Sequence, residues 1–506
     1  MRRILGLTAL ALLATTSLAQ AQETPTQTLK IALREDADAL DPTLARSYVG
    51  RIVFASMCDK LFDINEKLEI VPQLATGYAY EDPTTLRIDL RAGVKFHDGT
   101  TMDAEAVKYS LNRHLTMQGS GRRGELASVD SIEVAGPLTV KLHLKSPSSP
   151  LLAQLADRAG MILSAKAAEA AGKDFSLHPV CAGPFKFVER VAQDHITVER
   201  FPDYWNAKDI HFAKIVFQTI VDSTTRVANL RAGAVDLVES VVPSDVATVK
   251  ADPKLKLITS PGLGYEGINF NVNHGPRASG PISKDARVRH AFDMAIDRDA
   301  LNQVVFNGLF PATVQAVQTG SPYHAPGVEP KPRDLDGAKK LLAATGLPLP
   351  IKVTVNVPNS PTRIQAMEVV QAMVAEAGFD LKINAMEFAT TLDAGDRGDF
   401  EAYLLAWSGR TDPDGNIWNF WHTGGPNNYP GYSNPDVDKA LEDARKTSDV
   451  KERAALYAKA QIQELADLPI NYLWSPQNIV GINAKLTGFV PVPDGLIRVQ
   501  GMVLAK

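Results

Sequence analysis

The chain has 506 residues, 45% of them hydrophobic and 22% charged, with a formal net charge of -5 and only two cysteines. That length leaves ample chain for large cores in about three domains or subdomains, at ~150 residues each. The charge is spread along the chain without a basic patch or an acidic tail, which argues against nucleic acid and anionic membrane surfaces as partners.

At the N-terminus Arg2 and Arg3 precede an apolar run from Ile4 to Leu18, followed by Ala19-Gln20-Ala21, the pattern of a secretory signal peptide. No second apolar stretch of ~18 residues follows it. Residues 1–21 therefore predict export of a soluble periplasmic protein that starts near Gln22, and no cysteine near the cleavage site suggests a lipid anchor. Loss of Arg2 and Arg3 takes the formal charge from -5 to -7. In an oxidising compartment Cys58 and Cys181 are expected to pair. Two unrelated buried thiols are the alternative, because sequence does not supply the Cα separation.

Along the first half, Leu86, Ile88 and Leu90 alternate with Arg87, Asp89 and Arg91, and Val140, Leu142 and Leu144 alternate with Lys141, His143 and Lys145, as in half-buried antiparallel strands. Asp103 is placed to cap a helix through about Leu115, with Val107 and Leu111 on one face. Further strands are predicted at Phe185 to Val188, Ile196 to Glu199 and Lys214 to Thr219. A Gly-rich break lies at Pro261 to Asn273. Its Gly262-Leu263-Gly264-Tyr265-Glu266-Gly267 has the spacing of a dinucleotide loop, yet Ile268 to Val272 alternates like a strand and no helix begins there, so a hinge is the better reading.

The second half is α/β. Val288, Phe292 and Ile296 recur at helical spacing after Asp285, and Ile364, Met367, Val370 and Val374 form a second stripe closed by Gly378. Strands are expected at Ile351 to Val357, Leu381 to Ala385 and Ala402 to Ala406, and one long helical stretch from Asp436 to about Ala466. The chain then returns as an extended segment, Ile470 to Trp474. One crossing between lobes is placed near Pro261 to Asn273 and a second near Pro469 to Pro476.

No H-E-x-x-H, G-x-S-x-G, Walker A, C-x-x-C or EF-hand pattern occurs, and the ten histidines lack metal-ligand spacing. Nothing in the sequence supports a catalytic residue, a metal site or a cofactor. The segment Trp407-Ser408-Gly409-Arg410-Thr411-Asp412-Pro413-Asp414, with Trp418, Phe420, Trp421 and Tyr429 close behind, has the composition of a small-ligand site: flat apolar walls with a few orienting polar groups. A surface loop with its aromatics buried beneath it is the alternative.

At these residues the sequence resembles the periplasmic peptide- and nickel-type solute-binding proteins of ABC importers, extracellular solute-binding family 5. The resemblance runs through almost the whole mature chain. It is carried by Leu90-Arg91-Ala92-Gly93-Val94-Lys95-Phe96-His97-Asp98-Gly99-Thr100, Ala182-Gly183-Pro184-Phe185-Lys186-Phe187, Pro202-Asp203-Tyr204-Trp205, Ala295-Ile296-Asp297-Arg298 and Tyr432-Ser433-Asn434-Pro435-Asp436-Val437-Asp438.

The resemblance implies a two-lobe α/β binding protein that takes up a small solute by lobe closure, without catalysis, and hands it to a membrane permease with its ATPase. A monomer is expected. It implies a first lobe of residues 22–50, 182–264 and 473–506, an extra strand-rich subdomain at 51–181 with Cys58 and Cys181 near its ends, and a second lobe at 265–472. Expected ligand contacts are Tyr48, Tyr265, Arg363, Trp407, Ser408, Arg410, Asp412, Asp414, Trp421 and Tyr429.

Dipeptide-type members carry an acidic residue shortly after the site tryptophan, where this chain has Ser408-Gly409-Arg410, and that departure favours a solute with an anionic group. Arg410 either faces the cleft or bridges to Asp412, Asp414 or another lobe residue. A metal or metallophore carrier of the same fold and a periplasmic hydrolase are the competing readings.

Overall fold

The computed structural model describes residues 25–505, so the expected signal peptide lies outside the described residues. One seven-stranded sheet has the order Leu255–Pro261, Gln477–Asn483, Leu237–Val238, Thr28–Leu33, Lys214–Thr219, His195–Arg200, Phe185–Val191. Its centre is apolar on both faces. Ile31 and Phe217, neighbours in the parallel pair Thr28–Leu33 and Lys214–Thr219, face one core, and Ala32 faces another with Val227 and Leu230. The helix Tyr48–Met57, capped by Ser47 accepting from the Gly50 N–H, is buried in the first of these cores through Val49, Ile52, Val53 and Phe54. The boundary expected at residue 51 thus falls inside a helix.

The alternating segments read from sequence form a four-stranded antiparallel sheet, Ala75–Asp82, Thr85–Leu90, Thr139–Leu144, Val129–Gly136. Leu86 lies opposite Leu142, and Ile88 opposite Val140. All four are fully buried against Val107 and Leu111 of the helix Ala104–Thr116, which Asp103 caps by accepting from Ala106 N–H. Cys58 and Cys181 form a disulfide with a Cα separation of 4.9 Å.

The other lobe is built on a five-stranded sheet in the order Phe379–Met386, Ile351–Pro358, Ala402–Trp407, Tyr265–Phe270, Ile470–Trp474. Ile351–Pro358 and Phe379–Met386 run parallel, joined by the helix Pro361–Ala375, whose Met367, Val370 and Val374 pack on Val353 and Val355. Ala402 and Leu404 enter that core while Tyr403 and Leu405 enter a second, aromatic one, as alternation along a strand requires. The last strand, Ile470–Trp474, spans the residue 473 boundary expected between lobes.

The single helical stretch expected from Asp436 is two helices, Pro435–Lys446 and Val450–Asp467. Asp449 accepts from the Glu452 N–H at 2.8 Å and Thr447 Oγ1 donates to Glu452 Oε2 at 2.7 Å, so side chains at the junction satisfy a new helix start.

His114, fully buried in the helix Ala104–Thr116, meets Thr43 Oγ1 at 2.9 Å through Nδ1 and the Met161 carbonyl at 3.0 Å through Nε2. A carbonyl only accepts, so Nε2 carries the proton and Nδ1 takes one from threonine. Burial pushes its pKa down to about 4, with Asp41, Arg113 and Arg122 the charged groups beside it. A histidine depressed on folding leaves the unfolded chain holding more protons between pH 6.5 and about 4, so stability falls as the pH drops through that window. Urea denaturation of the wild type against His114→Gln should therefore show the wild type losing about 1.4 kcal/mol more per pH unit across it. A pH-independent difference would contradict a neutral native histidine.

A charged cavity between the lobes

A cavity of 840 Å³ lies between the two sheets, within the size range of small-molecule sites. The lobes touch around it. Arg46 pairs with Asp393 and Asp396, Gln154 donates to Asp414 at 3.1 Å, and Arg51 donates to Ser408 Oγ at 3.1 Å.

Five of the residues expected from sequence line this cavity: Tyr48, Arg363, Trp407, Ser408 and Tyr429. Trp407 ends the strand Ala402–Trp407; its Nε1 donates to Asn416 Oδ1 at 3.0 Å, and its ring meets the edge of Phe420 at 4.8 Å. Tyr48 begins its helix and anchors its hydroxyl on the Gly495 carbonyl at 2.7 Å. Tyr429 is held by an edge contact to Tyr403 at 5.7 Å. Trp407, Tyr48 and Tyr429 thus present fixed rings to the cavity.

The other five do not reach the cavity wall. Tyr265 and Trp421 are fully buried in the aromatic core, Tyr265 against Tyr472 and Phe420, and Trp421 donating its Nε1 to the Tyr472 hydroxyl at 2.9 Å. Asp412 is taken by Arg453 at 2.8 Å and Asp414 by Arg445 at 2.6 Å, so both carboxylates fasten their loop to the helices behind it. Arg410 lies over the Trp407 ring at 4.3 Å, with its Nε 2.5 Å from Asp157. It bridges the lobes, and its partner is Asp157 and neither Asp412 nor Asp414.

The cavity wall carries charge that the sequence reading passed over, in two groups. In the first, the Arg34 backbone N–H donates to Glu239 at 3.0 Å and its Nε lies 3.7 Å from the same carboxylate. Arg363 donates from Nε to Glu266 at 3.2 Å and faces Glu35, across the lobes, at 3.8 Å. Three glutamates thus share two arginines. Burial raises the Glu35 pKa, an effect that Arg34 and Arg363 oppose.

In the second group Asp157 takes Arg51 at 3.1 Å and Arg410 at 2.5 Å, with Arg158 and the Arg122–Glu125 pair beside them. Burial pushes the Arg410 pKa down to about 10, reinforced by the Arg51 charge, while Asp157 opposes the shift. A signal for this group did exist: Asp157-Arg158 interrupts the run Leu151 to Ile162, which is apolar apart from Gln154, and a charged pair there has to be buried.

The glycines at 262 and 264 serve close approach. A Cβ on Gly264 would sit 1.7 Å from the Trp407 carbonyl oxygen, and one on Gly262 would sit 2.2 Å from that of Pro476. They let the chain pass from the first sheet to the second tight against the end of the Trp407 strand. No group of three or more histidine, cysteine, aspartate or glutamate side chains is arranged for a metal ion among the described residues.

Two α/β lobes closed over a charged cavity define a solute-binding protein. The family model described as bacterial extracellular solute-binding proteins, family 5 middle, matches residues 69–428, and the chain belongs to that family, whose members serve ABC importers as binding proteins and not as enzymes. It is 30% identical over 495 residues to the glutathione-binding protein GsiB of Pectobacterium atrosepticum, covering 94% of each chain. The fold is similar to that of AgaA of A. tumefaciens R10 in complex with agropinic acid, with a TM-score of 0.87, 27% identity and coverage of 95% of this chain and 99% of that one. It is equally similar to the ABC transporter-associated DppA of Helicobacter pylori in complex with the peptide STSA, with a TM-score of 0.87 at 26% identity and coverage of 95% and 99%.

Proposed function

We propose that this protein captures a short peptide or peptide-like organic acid in the periplasm, by closure of its lobes, and delivers it intact to a membrane permease driven by an ATPase. The observation that carries the reading is the 840 Å³ cavity between the lobes, walled by fixed aromatic rings and by buried charges of both signs. A zwitterion or an amino-acid-derived acid matches such a wall, because each ligand charge meets an opposite one in a site shielded from water. The ligands named for the relatives, glutathione, agropinic acid and a tetrapeptide, fall in this chemical range. Micromolar capture requires about -8 kcal/mol. Ring contacts on Trp407 and Tyr429 together with charge-assisted hydrogen bonds supply interactions of the right kind. The protein acts as a monomer, and residues 1–21 are removed on export.

Native mass spectrometry of protein purified from its own periplasm without refolding tests this reading. We expect an intact peptide or organic acid at near-unit stoichiometry, released by denaturation, and a mature N-terminus near Gln22. Turnover of the solute during incubation, or nickel in place of an organic molecule, would refute it.

A further inference from the structure

The second charged group is out of balance. Four guanidinium groups, those of Arg51, Arg122, Arg158 and Arg410, face two carboxylates, Asp157 and Glu125, and every one of the six side chains is at most 11% exposed. Arg51 and Arg410 divide Asp157 between them, and Arg122 holds Glu125. Arg158 is left over. It is 1% exposed, its Nε lies 4.0 Å from Asp157 and has no hydrogen-bond partner, and its Nη1 donates to the Ala45 carbonyl at 2.6 Å. The Arg122 Nε is also buried without a partner. Both arginines line the cavity. Buried charges of one sign in excess are costly unless a counter-charge meets them, and the planar fork of a guanidinium suits a carboxylate.

We propose that Arg158 and Arg122 form the anion subsite of the cavity and that a carboxylate of the solute balances this arginine cluster. The assignment rests on the solute-binding reading above and adds to it where the ligand's negative end sits. It also couples binding to closure: Arg51, Arg122, Glu125, Asp157 and Arg158 belong to the first lobe's side of the cleft and only Arg410 to the second, so closure brings a fourth guanidinium onto a group already in positive excess, and that excess disfavours the closed form until an anion enters.

The test is thermal melting of ligand-free protein in sodium acetate against sodium chloride at matched ionic strength, with reduced glutathione titrated in parallel. Acetate is expected to raise the wild-type melting temperature above the chloride value. Arg158→Gln, whose amide still donates toward the Ala45 carbonyl, is expected to lose that rise and to bind glutathione at least tenfold more weakly. Arg122→Lys keeps a cation beside Glu125 but not the fork, and serves as a second variant that should reduce the rise should Arg158→Gln not fold. No acetate-specific rise in the wild type, or an equal rise in the variants, overturns the subsite. An acetate rise that depends on Arg158, in a protein that neither copurifies with an organic solute nor binds glutathione or peptides, would sink the carrier reading and leave the anion site standing.

Discussion

Asp157→Ala is expected to weaken solute binding by a hundredfold or more while leaving the open protein folded. The carboxylate is 5% exposed and is the acid that Arg51 and Arg410 share, one from each side of the cleft. Without it, four buried guanidiniums face Glu125 alone, and breaking a buried pair in this way costs about 3–5 kcal/mol. Since Arg410 approaches only across the cleft, most of that cost falls on the closed form, and a tenfold change corresponds to about 1.4 kcal/mol.

Titration with the copurified solute, alongside small-angle scattering of the liganded protein, reads both effects; closure and affinity equal to wild type would refute the bridge. Its pH dependence has a definite sign. Burial alone raises the Asp157 pKa, but Arg410, Arg51 and Arg158 outweigh it and hold the group well below the usual carboxylate range. A depressed carboxylate stabilises above its unfolded pKa of about 3.9 and stops doing so as the pH falls through its folded value. Closure should therefore persist to about pH 4 and fail only in stronger acid.

The second large effect is expected from the disulfide. Cys58 and Cys181 are each 1% exposed and are separated by 123 residues in sequence. Closing a loop of that length removes about 5 kcal/mol of unfolded-state entropy in the chain-entropy model. The double variant Cys58→Ser, Cys181→Ser should melt roughly 5 °C lower than the oxidised wild type. The same difference should follow reduction of the wild type under partly denaturing conditions. Calorimetry that finds equal melting temperatures would mean the bridge constrains nothing that the packing around it does not already fix.

Elements with a clean period were legible from the sequence. The Thr85–Leu90 and Thr139–Leu144 strands and the Asp103 cap lie where alternation and capping chemistry place them. The break at Thr447 was hidden because Ser, Asp and Glu in a helical period read equally well as an exposed helix face. At the cavity, Trp407 and Ser408 were readable because a strand end followed by a Gly/Pro loop surfaces beside a cleft.

Tyr265 and Trp421 were misplaced for a physical reason: an aromatic ring that walls a cavity and one that fills a core have the same sequence signature, and only packing separates them. Arg122, Arg158, Glu35 and Glu239 went unnoticed because isolated charges ordinarily stay in water. For Glu35 and Glu239 the burial depends on partners distant in sequence, Arg363 and Arg34.

The two crossings also govern what the cavity tolerates. Leu255–Pro261 pairs antiparallel with Gln477–Asn483 in one sheet, Pro261 opposite Gln477, and Tyr265–Phe270 pairs antiparallel with Ile470–Trp474 in the other, Glu266 opposite Trp474. The crossings therefore run side by side as one ribbon. A ribbon bends across its width but resists slipping along its length, because a one-residue slip would turn every side chain to the wrong face. The lobes can swing about this single line and cannot slide past each other. A solute one residue longer finds no wider setting of the jaws: it fits within the room already there, by displacing water, or it props the lobes apart.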